Sequence, residues 1–229
     1  MGSGGHSQLA AVDRGSAMIF ALPAFSGLKN RTKADLAAFV RLMIANGLDP
    51  TAVGAVIQFE SAGTWSPSVH GPEGSFRGPV TYPVGLIQFA PHTAELLGTS
   101  TAALERMTFQ QQLPFVVRYF QTFGKGQLKR PVDYELATWG AGIGTSDDHI
   151  LAAKGSPEYD HNPEFDRAKK GTITTGDLRA FIEGTIAKAL KRGVVRVDTS
   201  RSSAGIAVLA AAVLGGLYFL DGTAGGANE

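Results

Sequence analysis

A glutamate interrupts an apolar series in the first half of the chain. The Asp-Pro pair at 49–50 is typical of a helix start, with Asp49 as the capping residue and Pro50 in the first turn. Apolar residues then follow at helical spacing: Val53, Val56 and Ile57. Glu60 takes the next position on that face, and burial beside Phe59 would raise the pKa of its carboxyl group. A carboxyl that stays protonated near neutral pH can act as a general acid. In the alternative interpretation, Glu60 only ends the helix and faces solvent.

Two later runs strengthen the catalytic interpretation. Residues 85–94 read Gly-Leu-Ile-Gln-Phe-Ala-Pro-His-Thr-Ala, and residues 138–144 read Thr-Trp-Gly-Ala-Gly-Ile-Gly. Together with the Glu-Ser pair at 60–61, they resemble, in order, three motifs of the soluble lytic transglycosylase family. Those motifs are Glu-Ser, Gly-Leu-Met-Gln-Ile-x-Pro-x-Thr-Ala and Ala-Tyr-Asn-Ala-Gly-x-Gly. The resemblance covers about residues 35 to 150, and Gly140 replaces the Asn of the third motif, so one sugar-contacting amide is lost.

The resemblance implies a mainly α, lysozyme-like fold and an activity on peptidoglycan glycan strands. Glu60 would protonate the β-1,4 bond between N-acetylmuramic acid and N-acetylglucosamine. It would then take the proton of the sugar's 6-hydroxyl group and leave a 1,6-anhydro product. The family needs no cofactor. Positions that match its substrate-binding motifs are Ser61, Gly85, Leu86, Gln88 and Trp139.

Residues 62–84 are rich in glycine and proline and predict a long loop, which inside a domain is usually functional or mobile. In one interpretation its polar and aromatic side chains line a sugar-binding cleft, with Glu73 among the substrate-binding residues. In the other, the loop lies on the surface and Trp65 anchors it in the core. Glu73 also allows an alternative enzyme, a hydrolytic lysozyme in which a loop carboxylate activates water.

Composition excludes several other kinds of site. The 229 residues include no cysteine, which rules out disulfides, thiolate zinc sites and a cysteine nucleophile. A net charge of +1 gives no indication of a nucleic-acid partner. Residues 166–177 are spaced like a calcium loop, but Ala168 and Lys170 stand where ligands belong. The sequence therefore predicts no metal site.

The remaining elements are predicted mostly as helices. Amphipathic patterns predict helices at 33–46, 133–139 and 178–192, and the Thr-x-x-Gln sequence at 108–111 predicts a further helix start. Residues 145–176 are polar and predict irregular structure. The apolar run at 17–25 is expected to pack against the domain, with an export signal as the alternative.

The C-terminal part predicts a membrane anchor. Residues 202–220 carry no charge, and at ~1.5 Å per residue they would extend about 28 Å, close to the ~30 Å hydrocarbon core. Small residues at 211, 212, 215 and 216 suit helix–helix self-association in lipid. The fold class predicted is thus a lysozyme-like helical domain with a long active-site loop and a C-terminal transmembrane helix. The predicted parts are a flexible segment at 1–30, the enzyme domain at 31–195, and the anchor and tail at 196–229.

A membrane-anchored protein that cleaves the bacterial cell wall would resemble the muralytic components of bacteriophage particles. This resemblance predicts a membrane-associated location. Two interpretations from other classes are a non-catalytic module that holds glycan strands or a membrane assembly, and a serine acyl-enzyme. The second rests on degenerate runs beginning at Ser26, Ser146 and Lys170, the last two of which stand too close together for the fold of penicillin-binding enzymes.

Overall fold

The computed structural model describes residues 18–71 and 82–200. This part of the chain forms helices joined to two small antiparallel sheets, with short 3-10 turns at Ser26–Asn30 and Pro163–Phe165. In chain order the elements are β1 (Ile19–Pro23), α1 (Lys33–Ala45), α2 (Pro50–Glu60), α3 (Pro91–Leu96), α4 (Thr101–Glu105), α5 (Phe109–Gly124), α6 (Pro131–Trp139), β2 (Ile150–Ala153), α7 (Pro157–His161), β3 (Thr172–Thr174), α8 (Thr175–Arg192) and β4 (Val194–Asp198).

Local signals set the starts of the main helices. The side chain of Asp49 accepts a hydrogen bond from the Thr51 N–H at 2.8 Å, and Pro50 is the first residue of α2, as predicted. Thr108 forms the predicted capping box with Gln111 at the start of α5. Since these signals are contained in a few adjacent residues, they are readable without the tertiary structure.

The larger core surrounds Trp65, which has no exposed surface. Its indole ring lies 5.4 Å from the Phe39 ring, 6.0 Å from Phe25 and 6.2 Å from Phe109, measured between ring centroids. These contacts hold the first residues of the 62–84 loop against α1 and α5. The interpretation of Trp65 as a core anchor is therefore confirmed.

A second core joins α6 and α8 to the sheet formed by β2 and β3. Its buried residues include Leu136, Phe165 and Ile173, and the partly buried Phe59 and Phe181 pack against them. The Phe59, Phe165 and Phe181 rings meet edge to face at 4.8–5.3 Å between centroids. The prediction of irregular structure at 145–176 is wrong here, because strands of three or four residues are too short to show a period in the sequence.

The domain boundaries differ from those predicted. β1 pairs antiparallel with β4, with Ile19 opposite Asp198 and Pro23 opposite Val194. Leu22, Phe25 and Leu28 are buried in the main core, so residues 19–30 belong to the folded domain, as do residues 196–198. This pairing joins segments far apart in sequence, which no local pattern reveals.

The predicted fold class needs a correction at its membrane helix. Among the eight α helices of the described residues, none is long and apolar enough to cross a membrane. The longest, α8 with 18 residues, carries lysine, arginine and glutamate on its exposed side. The span predicted at 202–220 lies outside the described residues.

Candidate functional site

A cleft of about 520 Å³ lies where the ends of several elements converge. Glu60 enters it from the C-terminal end of α2, Gln88 from the loop before α3, and Tyr119 from α5. Thr138 and Trp139 at the end of α6 form another wall. Residues 157–162, in and just after α7, close the opposite rim with Glu158, His161 and Asn162. The cleft thus combines a carboxyl group with hydroxyl, amide and aromatic side chains.

Glu60 is the acidic residue in the inner part of this cleft. It is partly exposed, and the surrounding protein removes its carboxyl group from most of the solvent. This desolvation raises the pKa of Glu60 to about 8, and the polar Thr138 side chain nearby offsets only part of the rise. Glu60 is therefore mainly protonated at neutral pH and can still reach a molecule in the cleft.

A second carboxyl group, that of Glu135, lies behind the cleft wall. Glu135 has no exposed surface, and neither of its carboxyl oxygens has a hydrogen-bond partner in the described part of the chain. Desolvation, and secondarily the charge of Glu60, raise the pKa of Glu135 well above its usual range. The Thr138 hydroxyl group donates instead to the backbone carbonyl of Glu135, at 2.6 Å. Burial beside Glu60 therefore favours the protonated, neutral form of Glu135.

Tyr119 adds a third titratable group to the same region. Its hydroxyl group donates to the Ala137 carbonyl at 3.0 Å, which ties α5 to α6 behind the cleft. Burial, and then the charges of Glu60 and Glu135, raise the pKa of Tyr119 far above its usual value. Tyr119 therefore stays protonated and adds no negative charge beside the two carboxyl groups.

Gln88 holds the loop around the cleft. Its backbone lies in the left-handed region at φ 51°, and its side-chain Nε2 donates to the carbonyls of Gly85, at 3.0 Å, and Val69, at 3.3 Å. A Cβ atom added at Gly71 would come within 2.5 Å of Gln88 Oε1, so the glycine allows this close approach. Gln88 lines the cleft, but its amide N–H groups are used to join the two ends of the loop.

Three other predicted substrate-binding residues have structural roles. The Ser61 side chain is fully buried, donates to the Ile57 carbonyl at 2.6 Å and accepts from the Trp65 N–H at 2.9 Å. Leu86 is also fully buried. Gly85 is buried with φ +90°, and a Cβ atom there would come within 2.5 Å of Gln112. Ser61 and Leu86 therefore expose no surface to a sugar, and the Gly-Leu-Ile-Gln run shapes the loop.

Trp139 lies where the resemblance predicts an aromatic residue. It lines the cleft, and its ring packs edge to face on Phe165 at 5.7 Å between centroids. Gly140 follows in the left-handed conformation at φ +70° and ends α6. This fixed ring gives the cleft an apolar wall against which a saccharide could stack.

Of the predicted loop cluster, Glu73 lies outside the described residues. The described ends of the loop are joined, since the Gly71 N–H donates to the Pro83 carbonyl at 2.9 Å and the Gly85 N–H to that of Val69 at 2.8 Å. The His70 ring stacks on Tyr82, with 4.3 Å between centroids, and lies 2.8 Å from a carboxylate oxygen of Glu105. The loop therefore starts and ends beside the cleft wall.

Sequence reasoning missed Glu135 and the α7 rim. Glu135 had a readable signal, because it lies three residues after Val132 and four before Trp139, within the apolar face of α6. That is the pattern that identified Glu60. The rim had no such signal, because Glu158 and His161 come from a short helix within a polar stretch and Asn162 follows directly after it.

In the described residues, no group of three or more His, Asp or Glu side chains is arranged to hold a metal ion. Comparison of the chain with protein-family models, curated proteins and solved structures found no match.

Proposed function

We propose that this protein is a lytic transglycosylase that cleaves peptidoglycan glycan strands, with Glu60 as the acid and then the base. The observation that carries the proposal is a partly exposed carboxyl group in a cleft with a pKa of about 8. A general acid must hold its proton at the working pH and reach the leaving oxygen. Glu60 satisfies both conditions, and the sequence motifs around the cleft add support from resemblance.

The proposed reaction needs one carboxyl group. Glu60 donates its proton to the glycosidic oxygen as the bond from that oxygen to C1 of N-acetylmuramic acid breaks. The Glu60 carboxylate then accepts the proton of the 6-hydroxyl group, whose oxygen forms the new bond to C1. Glu60 ends the cycle protonated, and no water is consumed.

Glu135 suits this cycle because it is neutral. An ionised carboxylate beside Glu60 would oppose formation of the Glu60 carboxylate through charge repulsion. Since burial keeps Glu135 protonated, Glu60 can become negatively charged for the second step without an adjacent negative charge. Trp139 supplies an apolar face for a sugar ring, and Gln88 holds the loop that forms the neighbouring wall.

The cleft gives less support to the hydrolytic alternative. A hydrolase usually places a second carboxylate where it can activate water. In the described residues, Glu158 at the rim is the other carboxylate that lines the cleft, and Glu135 is sealed from solvent. Glu73, the residue assigned to that role from the sequence, lies outside the described residues.

Digestion of purified peptidoglycan followed by mass analysis of the products tests the proposal. Wild-type protein should release muropeptides with 1,6-anhydro ends. Glu60→Gln keeps the shape of the side chain but cannot transfer a proton, and should lose about 100-fold or more of the activity. The exposed Glu95, outside the cleft, provides the matched control, since Glu95→Gln should retain wild-type activity.

The products also separate the alternatives. Reducing ends in place of anhydro ends would identify a lysozyme and refute the transglycosylase. Binding of glycan strands without any cleavage would favour the non-catalytic module. Retention of activity in Glu60→Gln would show that another residue is the acid.

A further inference from the structure

A second concave site lies away from the cleft, between the β1–β4 strand pair and the start of α1. It has a volume of about 570 Å³. Four cationic side chains line it: Lys29, Arg31, Lys33 and Arg192. No acidic side chain lines it in the part of the chain that the structure describes. We call this site the basic pocket.

The floor of the basic pocket is apolar. It is formed by Phe25, Leu28 and Leu36, which are buried in the main core, and by the partly buried Val195 of β4. A ring of cations above an apolar floor differs from an ordinary solvated surface, where positive and negative groups alternate. It matches a ligand that carries both an anionic group and an apolar portion.

Arg31 adds a second observation, an unsatisfied hydrogen-bond donor beside the basic pocket. Its guanidinium carbon lies 5.2 Å from the centre of the Phe109 ring, which holds the group in place by a cation–π contact. Its Nε atom is buried and has no hydrogen-bond partner among residues 18–71 and 82–200. A buried N–H without an acceptor costs free energy that a bound anion would recover.

The nearest acid along the chain is already occupied. Asp35, in the first turn of α1, accepts hydrogen bonds from the Thr32 N–H at 3.1 Å and from Gln110 Nε2 at 2.9 Å. Arg192 donates through its Nε to the Ala24 carbonyl at 2.9 Å, which orients its charge at the pocket rim. The charge of Arg31 also helps to lower the pKa of Asp35, so this acid neutralises part of the positive charge beside the pocket, but Asp35 does not line it.

We propose that the basic pocket binds a phosphate ester that carries an apolar chain. A phosphate group offers up to about two negative charges and several acceptor oxygens, and so satisfies more of the four cations than a single carboxylate. The apolar chain would cover the floor. The proposal is independent of the activity of the cleft, and its ligand could come from an anionic lipid headgroup or from a soluble ester.

Calorimetric titration of the full chain tests the proposal with three soluble probes. These are dihexanoyl phosphatidic acid, the neutral dihexanoylglycerol and inorganic phosphate. The phosphatidic acid should bind at least about tenfold more tightly than either of the others, since it alone provides both parts of the ligand. Equal affinity for inorganic phosphate, or for the neutral lipid, would overturn the proposal.

Variants locate the binding. Lys29→Glu combined with Lys33→Glu should weaken binding about tenfold or more. Both side chains are exposed, and a glutamate at the first residue of α1 also suits the helix dipole, so the variant should fold. Reversal of Lys125 and Lys154, exposed lysines outside the pocket, is the matched control and should leave affinity unchanged.

Arg31→Met gives a second, independent variant. It keeps an apolar contact with Phe109 but removes the guanidinium group with its unsatisfied Nε–H, and should also weaken binding. Wild-type affinity in both pocket variants would refute the site. Sedimentation with phosphatidylglycerol vesicles then separates the sources: loss of vesicle binding in the pocket variants identifies a lipid headgroup, while binding of the short-chain probe alone identifies a soluble ester.

Discussion

Two acidic residues on α6, Asp133 and Glu135, are almost equally buried and have opposite surroundings. Asp133 accepts hydrogen bonds from the Arg130 N–H at 2.7 Å and from the Lys129 N–H at 3.1 Å, and an Arg130 guanidinium nitrogen lies 2.8 Å from its carboxylate. Burial alone would raise the pKa of Asp133, but these donors lower it below its usual value. The oxygens of Glu135 have no hydrogen-bond partner in the described residues, and its pKa is raised.

The comparison shows that burial does not by itself determine the charge of a carboxyl group. Hydrogen-bond donors stabilise the ionised form of Asp133, and these bonds give Asp133 a structural role at the start of α6. The carboxyl oxygens of Glu135 have no such partners among the described residues, so burial favours its neutral form and leaves an uncompensated polar group behind the candidate active site. Unpaired buried acids destabilise a fold and are typical of functional sites.

Replacing Asp133 should have the largest effect on stability. Asp133→Asn removes the charge that Arg130 and two backbone N–H groups surround, and should lower the free energy of unfolding by about 2–3 kcal/mol. Urea denaturation of the variant measures this loss. Asp160→Asn, a change at an exposed acid on α7, is the control. An equal loss in both variants would mean that the hydrogen bonds to Asp133 contribute nothing specific.

Replacing Glu135 should act in the opposite direction. Glu135→Leu exchanges two unsatisfied oxygens for an apolar group of similar size, and should raise the free energy of unfolding by about 1 kcal/mol. Glu135→Gln keeps polar atoms at the same place and should give no such gain. Both values come from denaturation curves at neutral pH. Destabilisation by leucine would show that Glu135 has a partner that stabilises it.

The pH dependence of stability should have opposite signs for the two kinds of acid. Glu60 has a pKa of about 8 in the folded protein and an ordinary value of 4.5. The folded state therefore retains a proton that the unfolded chain releases, and the contribution of Glu60 is complete below pH 4.5 and lost as the pH rises through 8. Glu60→Gln should flatten the fall in unfolding free energy across that range.

Asp133 provides the opposite case. Its folded pKa is lowered below 3.8, so its contribution is present above that pH and is lost as the pH falls through the lowered pKa. Denaturation of wild type, Glu60→Gln and Asp133→Asn over a pH series distinguishes the two. A decline at alkaline pH that persists unchanged in Glu60→Gln would assign it to other groups, including Glu135.

The sequence predicted those features that depend on neighbouring residues. The caps at Asp49 and Thr108, and the position of Glu60 on an apolar helix face, are set within one or two turns of helix. The β1–β4 pair could not be predicted, because it joins residues from opposite ends of the domain. The same holds for the convergence of Glu60 and Glu135, which depends on how α2 packs against α6.

The candidate site shows a related limit of motif matching. A motif assigns importance to Ser61, Gly85 and Leu86 but does not say in which direction their side chains point. In the structure they fix the turn after α2 and the loop before α3, while Gln88 and Trp139 line the cleft. A motif match can therefore identify residues that shape a site as readily as residues that would contact a substrate.

The β1–β4 pair also determines how the domain responds to mechanical force. Ile19 lies opposite Asp198, and the Thr199 N–H donates to the Met18 carbonyl at 2.9 Å. Residues 18 and 199 therefore lie at the same end of the strand pair. When force pulls the two strands of an antiparallel pair apart from one end, the cross-strand hydrogen bonds break one after another instead of all together. A pull on residues 18 and 199 should therefore unzip this pair at low force and uncover Leu22 and Val197 before the helices separate.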